Sequence, residues 1–110
     1  MRTDRERLID ILDAIDKIEE QTGLGEERFR SDEMVQVWVV YHLQIIGEAA
    51  ARLSQALKTN SPGVPWADIV GMRNIVVHEY FGLDLDRIWS TVTSSLKPLR
   101  EEIELLLPAL

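Results

Sequence analysis

Residues 31–53 have the sequence SDEMVQVWVVYHLQIIGEAAARL, and this stretch decides the fold class of the chain. Its apolar residues recur at helical spacing over more than one stripe. The β-branched cluster from Val35 to Val40 would suit a strand, but no hairpin signal flanks it and the helical pattern continues beyond it. Ser31-Asp32-Glu33 supplies side chains suited to the free N–H groups of a first turn. We predict one helix running to about Lys58, with neighbours on two sides, either in the bundle or across a subunit interface.

Three further segments show helical periodicity. The first extends from about Asp4 to Gln21 and ends at Thr22-Gly23-Leu24-Gly25, where glycine supplies a left-handed C-cap. The third extends from Trp66 to about His78, and Pro65 suits the first helical position because its missing N–H would be unpaired there. The fourth starts near Asp84 and carries a heptad-like apolar seam, formed by Leu85, Trp89, Val92, Leu96, Leu99, Ile103 and Leu106.

Pro98 lies inside the fourth segment. A proline there removes the hydrogen bond to the Ser94 carbonyl and costs about 3 kcal/mol in a helix interior, so we expect a kink near Ser94. The connections between segments are short, and no internal repeat or linker divides the chain. The sequence therefore predicts an all-α fold, an antiparallel four-helix bundle with its fourth helix kinked near Pro98, in a single domain over residues 1–110.

The composition limits the classes of function. Of the 110 residues, 45% are hydrophobic, which is enough for the core of one domain, and no cysteine is present for a disulfide or a thiolate metal site. No apolar run approaches the roughly 20 residues of a membrane span, and no leader pattern follows the charged start. We expect a cytoplasmic protein without a membrane partner. The net charge of −7 argues against a broad basic face for nucleic acid, so any nucleic-acid chemistry must be local.

The candidate functional residues lie in the segment RNIVVHEY, residues 73–80. At about 100° per helical residue, Arg73 points along the middle of the apolar stripe of its helix, and Tyr80 returns to nearly the same direction. Asn74 and His78, which are four residues apart, share a second face. An arginine in an apolar stripe is costly unless it is paired or opens onto a cleft.

Two interpretations of Arg73 follow from this spacing. In the first, Arg73 forms a structural salt bridge with Glu48 or Asp84, and His78 is a C-terminal residue favoured by the helix macrodipole. In the second, Arg73 and His78 line a cleft, with Asn74 between them. Because short patterns of the form R-x4-H often arise by chance, spacing alone leaves both interpretations open.

The other histidine and the three tryptophans indicate structure rather than chemistry. His42 lies in the most apolar part of the second helix, where a satisfied core or interface histidine is the simpler interpretation. Two scattered histidines without cysteine do not form a zinc site, and we expect neither a metal nor another cofactor. Trp38, Trp66 and Trp89 fall on apolar faces and are predicted core anchors.

Two blocks of the sequence resemble a known family. The block PWADIVGMRNIVVHEYFGLD, residues 65–84, is similar to the central block of the HepT-like toxins of the HEPN superfamily, and QIIGEAAARL, residues 44–53, is similar to that family's second helix. Glu79 departs from the family pattern, in which a glycine or another small residue is expected, and it adds a negative charge beside the site. The family motif, R-x4-H-x-Y with a polar residue after the arginine, is met by Arg73, Asn74, His78 and Tyr80.

The resemblance implies a metal-independent ribonuclease that acts on RNA as a homodimer, with two copies of the motif facing each other across a shared cleft. It also implies a type VII-like toxin–antitoxin pair, in which a minimal nucleotidyltransferase antitoxin neutralises the toxin by transferring AMP to the motif tyrosine. Carried onto this chain, that tyrosine is Tyr80, the catalytic residues are Arg73, His78 and Asn74, and Glu48 is a candidate supporting residue. The alternative is a non-catalytic helical partner and modification target of the nucleotidyltransferase.

These residue types suit RNA cleavage without a metal. The 2′-hydroxyl attacks the adjacent phosphorus, so the site needs a group that moves protons near neutral pH and a fixed cation for the charge on the phosphoryl oxygens. His78 and Arg73 meet these two needs. Asn74 would orient phosphate or imidazole, and Tyr80 could contact phosphate or stack on a base. AMP on Tyr80 would place bulk and negative charge beside Arg73 and block the cleft.

Overall fold

The computed structural model describes residues 2–75 and 84–110. Within these ranges the chain forms α-helices and 3₁₀ turns and contains no β-strand, so the predicted all-α class is confirmed. The predicted site residues His78 and Tyr80 lie outside the described residues. The elements are α1 (Asp4–Thr22), α2 (Glu26–Ser31), α3 (Glu33–Ala51), α4 (Gln55–Thr59), α5 (Trp66–Gly71), a 3₁₀ turn (Met72–Asn74), α6 (Leu85–Ser94), α7 (Leu96–Leu106) and a second 3₁₀ turn (Leu107–Ala109).

The core lies between α1 and α3, with α7 packed against α1. α1 begins at a capping box, in which the Thr3 hydroxyl accepts from the N–H of Glu6 and the Glu6 carboxylate accepts from the N–H of Thr3. The first predicted helix is thereby confirmed. No helix of the described residues is both long and apolar enough to cross a bilayer. Side chains with no exposed surface at the centre of the core are Leu8, Ile11, Ile15, Ile18, Val39, Leu43, Ile46 and Ile103.

The connection after α1 differs from the prediction. Gly23, the C-cap of α1, has a right-handed conformation (φ −61°), and the left-handed glycine is Gly25 (φ 106°), which begins a short helix that the sequence pattern did not reveal. That helix, α2, buries one side chain, Phe29, whose ring lies 5.3 Å from the ring of Trp89. Asp32 then caps α3, accepting from the N–H of Met34 at 3.0 Å, as the Ser31-Asp32-Glu33 signal predicted.

The prediction of one helix from Ser31 to Lys58 is wrong at its C-terminal end. α3 ends at Ala51, and a separate helix, α4, begins at Gln55. The break forms because the Ser54 hydroxyl accepts from the N–H of Leu57 at 3.2 Å and so acts as an N-cap. Asp4 holds Ser54 in that place by accepting from its backbone N–H at 2.9 Å and from its hydroxyl at 2.6 Å.

The predicted kink in the fourth segment is confirmed. α6 ends at Ser94 and α7 begins at Leu96, so that the segment is divided at Ser95. Pro98 occupies the first turn of α7, where its lack of an N–H leaves no helical bond unmade. The apolar seam continues across the break, since its members Val92 on α6 and Leu96 on α7 are both buried.

The third predicted helix is shorter than expected. α5 ends at Gly71, a 3₁₀ turn follows, and Ile75 has an extended backbone (φ −74°, ψ 110°). Pro65 precedes the first helical residue instead of occupying it. A continuous helix from Trp66 to His78 is therefore excluded. The side-chain directions that such a helix predicts for Arg73 and Asn74 therefore no longer hold.

Candidate functional site

Arg73 and Asn74 lie on the 3₁₀ turn that follows α5. A 3₁₀ helix has about 3.0 residues per turn, so residues three apart point the same way. Met72 and Ile75 are three apart, and both are buried, with 5% and 7% of their surface exposed. Arg73 and Asn74 fall on the remaining sides of the turn and are exposed. The expectation that Arg73 lies in an apolar stripe is therefore wrong, because the 3₁₀ geometry turns its side chain outward.

The Arg73 guanidinium lies beside Glu48, one of its two predicted carboxylate partners. Its Nη1 atom is 3.7 Å from Oε1 of Glu48, and the other carboxylate oxygen of Glu48 is 3.9 Å from Nε of Arg52. Asp84 instead caps α6 by accepting from the N–H of Arg87 at 3.1 Å. The side chains of Arg73 and Glu48 are 43% and 54% exposed, so this is a surface ion pair, and such pairs contribute about 0–1 kcal/mol. The guanidinium remains able to bind a phosphate.

The backbone of the turn packs on α3 through two residues that sequence reasoning did not assign to the site. Nε2 of Gln44 donates a 2.6 Å hydrogen bond to the carbonyl oxygen of Ile75. Gly47 is buried, and the backbone of Arg73 passes directly over it. The one available signal was the glycine itself, because a glycine inside a helix often marks a close approach of another segment.

One face of α3 is apolar and exposed. Its members are spaced three or four residues apart, so they form one stripe, which we call the apolar face: Met34, Val37, Trp38 and Tyr41. Met34 is 83% exposed and Tyr41 58% exposed. Continuing the same stripe along the helix leads to Glu48 and Arg52 beside Arg73. The apolar face and the candidate site therefore lie along one side of α3.

The surface between α1 and α3 carries charges of both signs. A groove of about 490 Å³ opens there, and acidic and basic side chains both line it. No continuous basic track runs along this groove, in agreement with the local electrostatics expected from the net charge. The charged residues that line it are Arg7, Asp10, Asp13, Lys17, Glu48 and Arg52.

The other aromatic residues divide between core and surface. His42 is 7% exposed, and its Nδ1 lies 2.8 Å from the carbonyl oxygen of Trp38, so the prediction of a satisfied core histidine is confirmed. Trp66 is buried and donates to the Ser61 hydroxyl at 3.0 Å. Trp89 is half-buried against Phe29. Trp38 is 37% exposed, so its prediction as a core anchor is wrong; its indole N–H reaches the carbonyl of Lys17 at 2.8 Å.

Within residues 2–75 and 84–110, no three histidine or carboxylate side chains cluster in a way that could hold a metal ion. At the turn, the side chains of Arg73 and Asn74 are exposed, and the carboxylate of Glu48 lies beside the Arg73 guanidinium. An exposed guanidinium can bind an anion through its N–H donors.

Comparison with known proteins gives consistent matches over nearly the whole chain. A family model described as ribonuclease HepT-like matches residues 11–106. A protein of Methanocaldococcus jannaschii, named provisionally as an RNase, is 35% identical over 99 residues, which cover 89% of this chain and 91% of that protein. No solved structure matches the chain.

Two further relatives have similar names. A protein of Thermococcus cleftensis, named provisionally as a ribonuclease HepT, is 36% identical over 104 residues, covering 94% of both chains. A protein of Caldanaerobacter subterraneus, again named provisionally as an RNase, is 34% identical over 105 residues, also covering 94% of both.

Proposed function

The chain belongs to the family of HepT-like ribonucleases, and from that premise we propose that it is a metal-independent endoribonuclease toxin that acts on RNA in the cytoplasm. Arg73 and His78 are the proposed catalytic residues, and Asn74 orients the phosphate or the imidazole. The observation that carries the proposal is the presentation of Arg73, whose guanidinium is exposed while the backbone on either side of it is anchored by buried residues.

Phosphodiester cleavage is helped by a cation beside the phosphoryl oxygens, and Arg73 supplies an exposed guanidinium on an anchored backbone. The RNA 2′-hydroxyl gives its proton to the base, His78, and attacks the adjacent phosphorus, while the bond from phosphorus to the 5′-oxygen breaks and that oxygen takes up a proton. Negative charge builds on the non-bridging oxygens in the transition state. A guanidinium beside the phosphate stabilises that charge, and the planar donor set of arginine suits two oxygens at once.

An RNA-cleavage assay on purified variants tests the proposal. We expect Arg73→Ala to lower kcat/KM by about 10²-fold or more, and His78→Ala by about 10²- to 10⁴-fold. Arg28→Ala is the matched control, because it removes the same charge from an exposed arginine on α2 and should leave cleavage unchanged. Equal activity of the wild type and the two site variants would rule out this assignment.

We further propose that a minimal nucleotidyltransferase antitoxin controls the enzyme by transferring AMP to Tyr80. The chain has two tyrosines, and the other one, Tyr41, is 58% exposed on α3 and serves as an internal control. After incubation with ATP, Mg²⁺ and the antitoxin, intact-mass analysis should show one added AMP on the wild type and on Tyr41→Phe, but none on Tyr80→Phe. AMP addition to Tyr80→Phe would assign the acceptor to another residue.

The proposed homodimer is supported by the apolar face of α3. Four large apolar side chains in one exposed stripe are typical of a surface that is covered by a partner. Since the stripe leads directly to Glu48 and Arg73, a second copy seated on it would bring two candidate sites to the same cleft. The apolar face is thus the proposed interface between two copies of this chain.

Sedimentation analysis of charged variants tests the interface. Val37→Glu places a charge in the middle of the apolar face and should convert the dimer to monomer, since an unpaired charge in an apolar contact is strongly unfavourable. Leu105→Glu is the control, because Leu105 is 75% exposed on α7 and lies outside this face. A Val37→Glu variant that remains as dimeric as the wild type would contradict the proposal.

The second candidate function is a non-catalytic partner and modification target of the nucleotidyltransferase. The net charge of −7 favours it, because it weakens the attraction of RNA to the surface as a whole. The RNA-cleavage and AMP-transfer assays together distinguish this function from the ribonuclease. AMP transfer to Tyr80 together with no cleavage by the wild type would support the second function.

A further inference from the structure

Gly47 lies where the candidate site meets α3. It is buried in the helix, and a Cβ atom built on it would lie 2.8 Å from Cβ and 3.0 Å from Cα of Arg73, and closer still to the backbone nitrogen of Arg73. Real Cβ atoms essentially never approach other atoms within 3.0 Å. The atoms in the way belong to the backbone and the base of a side chain, so a rotamer change cannot relieve the contact.

The conformation of α3 does not itself explain this glycine. Among the described residues, the glycine with a positive φ is Gly25. Gly47 has ordinary helical geometry, which alanine adopts more readily than glycine. The helix has alanine a few residues later, at Ala49, Ala50 and Ala51. What distinguishes position 47 is the backbone of Arg73 lying against it. The glycine is therefore explained by close packing of the turn on α3.

We propose that Gly47, together with Gln44, is a positioning residue that sets where the Arg73 guanidinium stands. Gln44 lies one turn earlier on the same helix, and its Nε2 donates a 2.6 Å hydrogen bond to the carbonyl oxygen of Ile75. Gly47 has no side chain, so the backbone of Arg73 can pack directly against α3. Arg73 is thus held between buried Met72 before it and the hydrogen-bonded Ile75 after it. The proposal rests on the proposed function, in which Arg73 stabilises the transition state.

The size of the effect follows from the distances. Non-bonded carbon atoms prefer about 3.5–4.0 Å, so a Cβ at position 47 must push Arg73 away by roughly 1 Å from the 2.8 Å contact. A displacement of about 1 Å in a positioned catalytic group can cost about 10²-fold in rate. We therefore expect Gly47→Ala to lower kcat by about 10²-fold, with a smaller change in KM.

A double-mutant cycle separates positioning from a general structural role. If Gly47 acts through Arg73, then Gly47→Ala lowers the activity of the wild type but not the residual activity of Arg73→Ala. Gly71→Ala is the matched control, because a Cβ on Gly71 meets nothing within 4 Å, and it should cleave RNA like the wild type. Full activity in Gly47→Ala, or an equal further loss on the Arg73→Ala background, would overturn the proposal.

Two additional measurements keep the test decisive if a variant folds poorly or the wild type does not cleave RNA. Gln44→Met keeps a side chain of similar size but removes the bond to Ile75, and it should reproduce the loss in kcat in milder form. The NMR signal of the Arg73 side-chain Nε–H reports its surroundings without any substrate. It should shift in Gly47→Ala and stay in place in Gly71→Ala; an unchanged signal in Gly47→Ala would refute the positioning role even if the ribonuclease assignment fails.

Discussion

Replacing Glu48 by glutamine tests how the ion pair with Arg73 affects RNA binding. The closest atoms are 3.7 Å apart, beyond the range of a good hydrogen bond, so the carboxylate attracts the guanidinium without fixing its direction. Both side chains are about half exposed, and water reduces the interaction to about 1 kcal/mol or less. Because that energy is lost when a phosphate displaces Glu48, we expect Glu48→Gln to bind RNA up to about fivefold more tightly.

Fluorescence anisotropy with a single-stranded oligonucleotide carrying 2′-O-methyl groups measures this affinity, since such an RNA cannot be cleaved by its own 2′-hydroxyl. Glu101→Gln is the matched control, because Glu101 is exposed on α7 and its replacement changes the net charge from −7 by the same single unit. We expect Glu101→Gln to bind like the wild type. Weaker binding by Glu48→Gln, or equal gains in the two variants, would refute the argument from local electrostatics.

Three further predictions concern folding. Phe29→Ala should lower the free energy of unfolding by about 3–5 kcal/mol in urea, since Phe29 is fully buried and is the residue that anchors α2; a loss below about 1 kcal/mol would contradict this. Ser54→Ala should cost about 1 kcal/mol by removing the α4 cap, with Ser95→Ala, which makes no cap bond, as the control. The hydrogen bond from Arg28, together with backbone N–H donors, lowers the pKa of Asp32. The stability that the Asp32 carboxylate contributes to the fold is therefore full at neutral pH and is lost as the pH falls through that lowered pKa. Asp32→Asn should be less stable than the wild type at neutral pH and equal to it in strong acid.

Local sequence signals predicted those features whose causes are local. The cap at Asp32 and the break before Pro98 depend on residues within one helical turn, and both are confirmed. The features that the sequence did not reveal depend on distant partners. α3 ends where it does because Asp4, fifty positions earlier, holds Ser54 in the capping conformation. The helix propensities of the residues around Ser54 give no indication of the contact with Asp4.

The candidate site shows the same division. The motif predicted Arg73 and Asn74 as site residues, and in the structure Glu48, one of the two predicted partners of Arg73, lies beside it. The predicted direction of the Arg73 side chain was wrong because the prediction assumed a regular α-helix. The chain instead forms a 3₁₀ turn and an extended Ile75, whose carbonyl is bound by Gln44 on another helix. That hydrogen bond joins residues 31 positions apart, so no local pattern could indicate it.

The contacts on α3 explain why the two blocks that resemble the family belong together. Gln44, Gly47 and Glu48 are spaced at i, i+3 and i+4, so they share one side of the helix. Gln44 binds the end of the turn, Gly47 admits its backbone, and Glu48 lies beside the guanidinium. The position of Arg73 is therefore encoded by the block on α3 as much as by the motif that contains it. It follows that an arginine-histidine motif without a glycine at the facing position should present its arginine differently, even where the motif residues are identical.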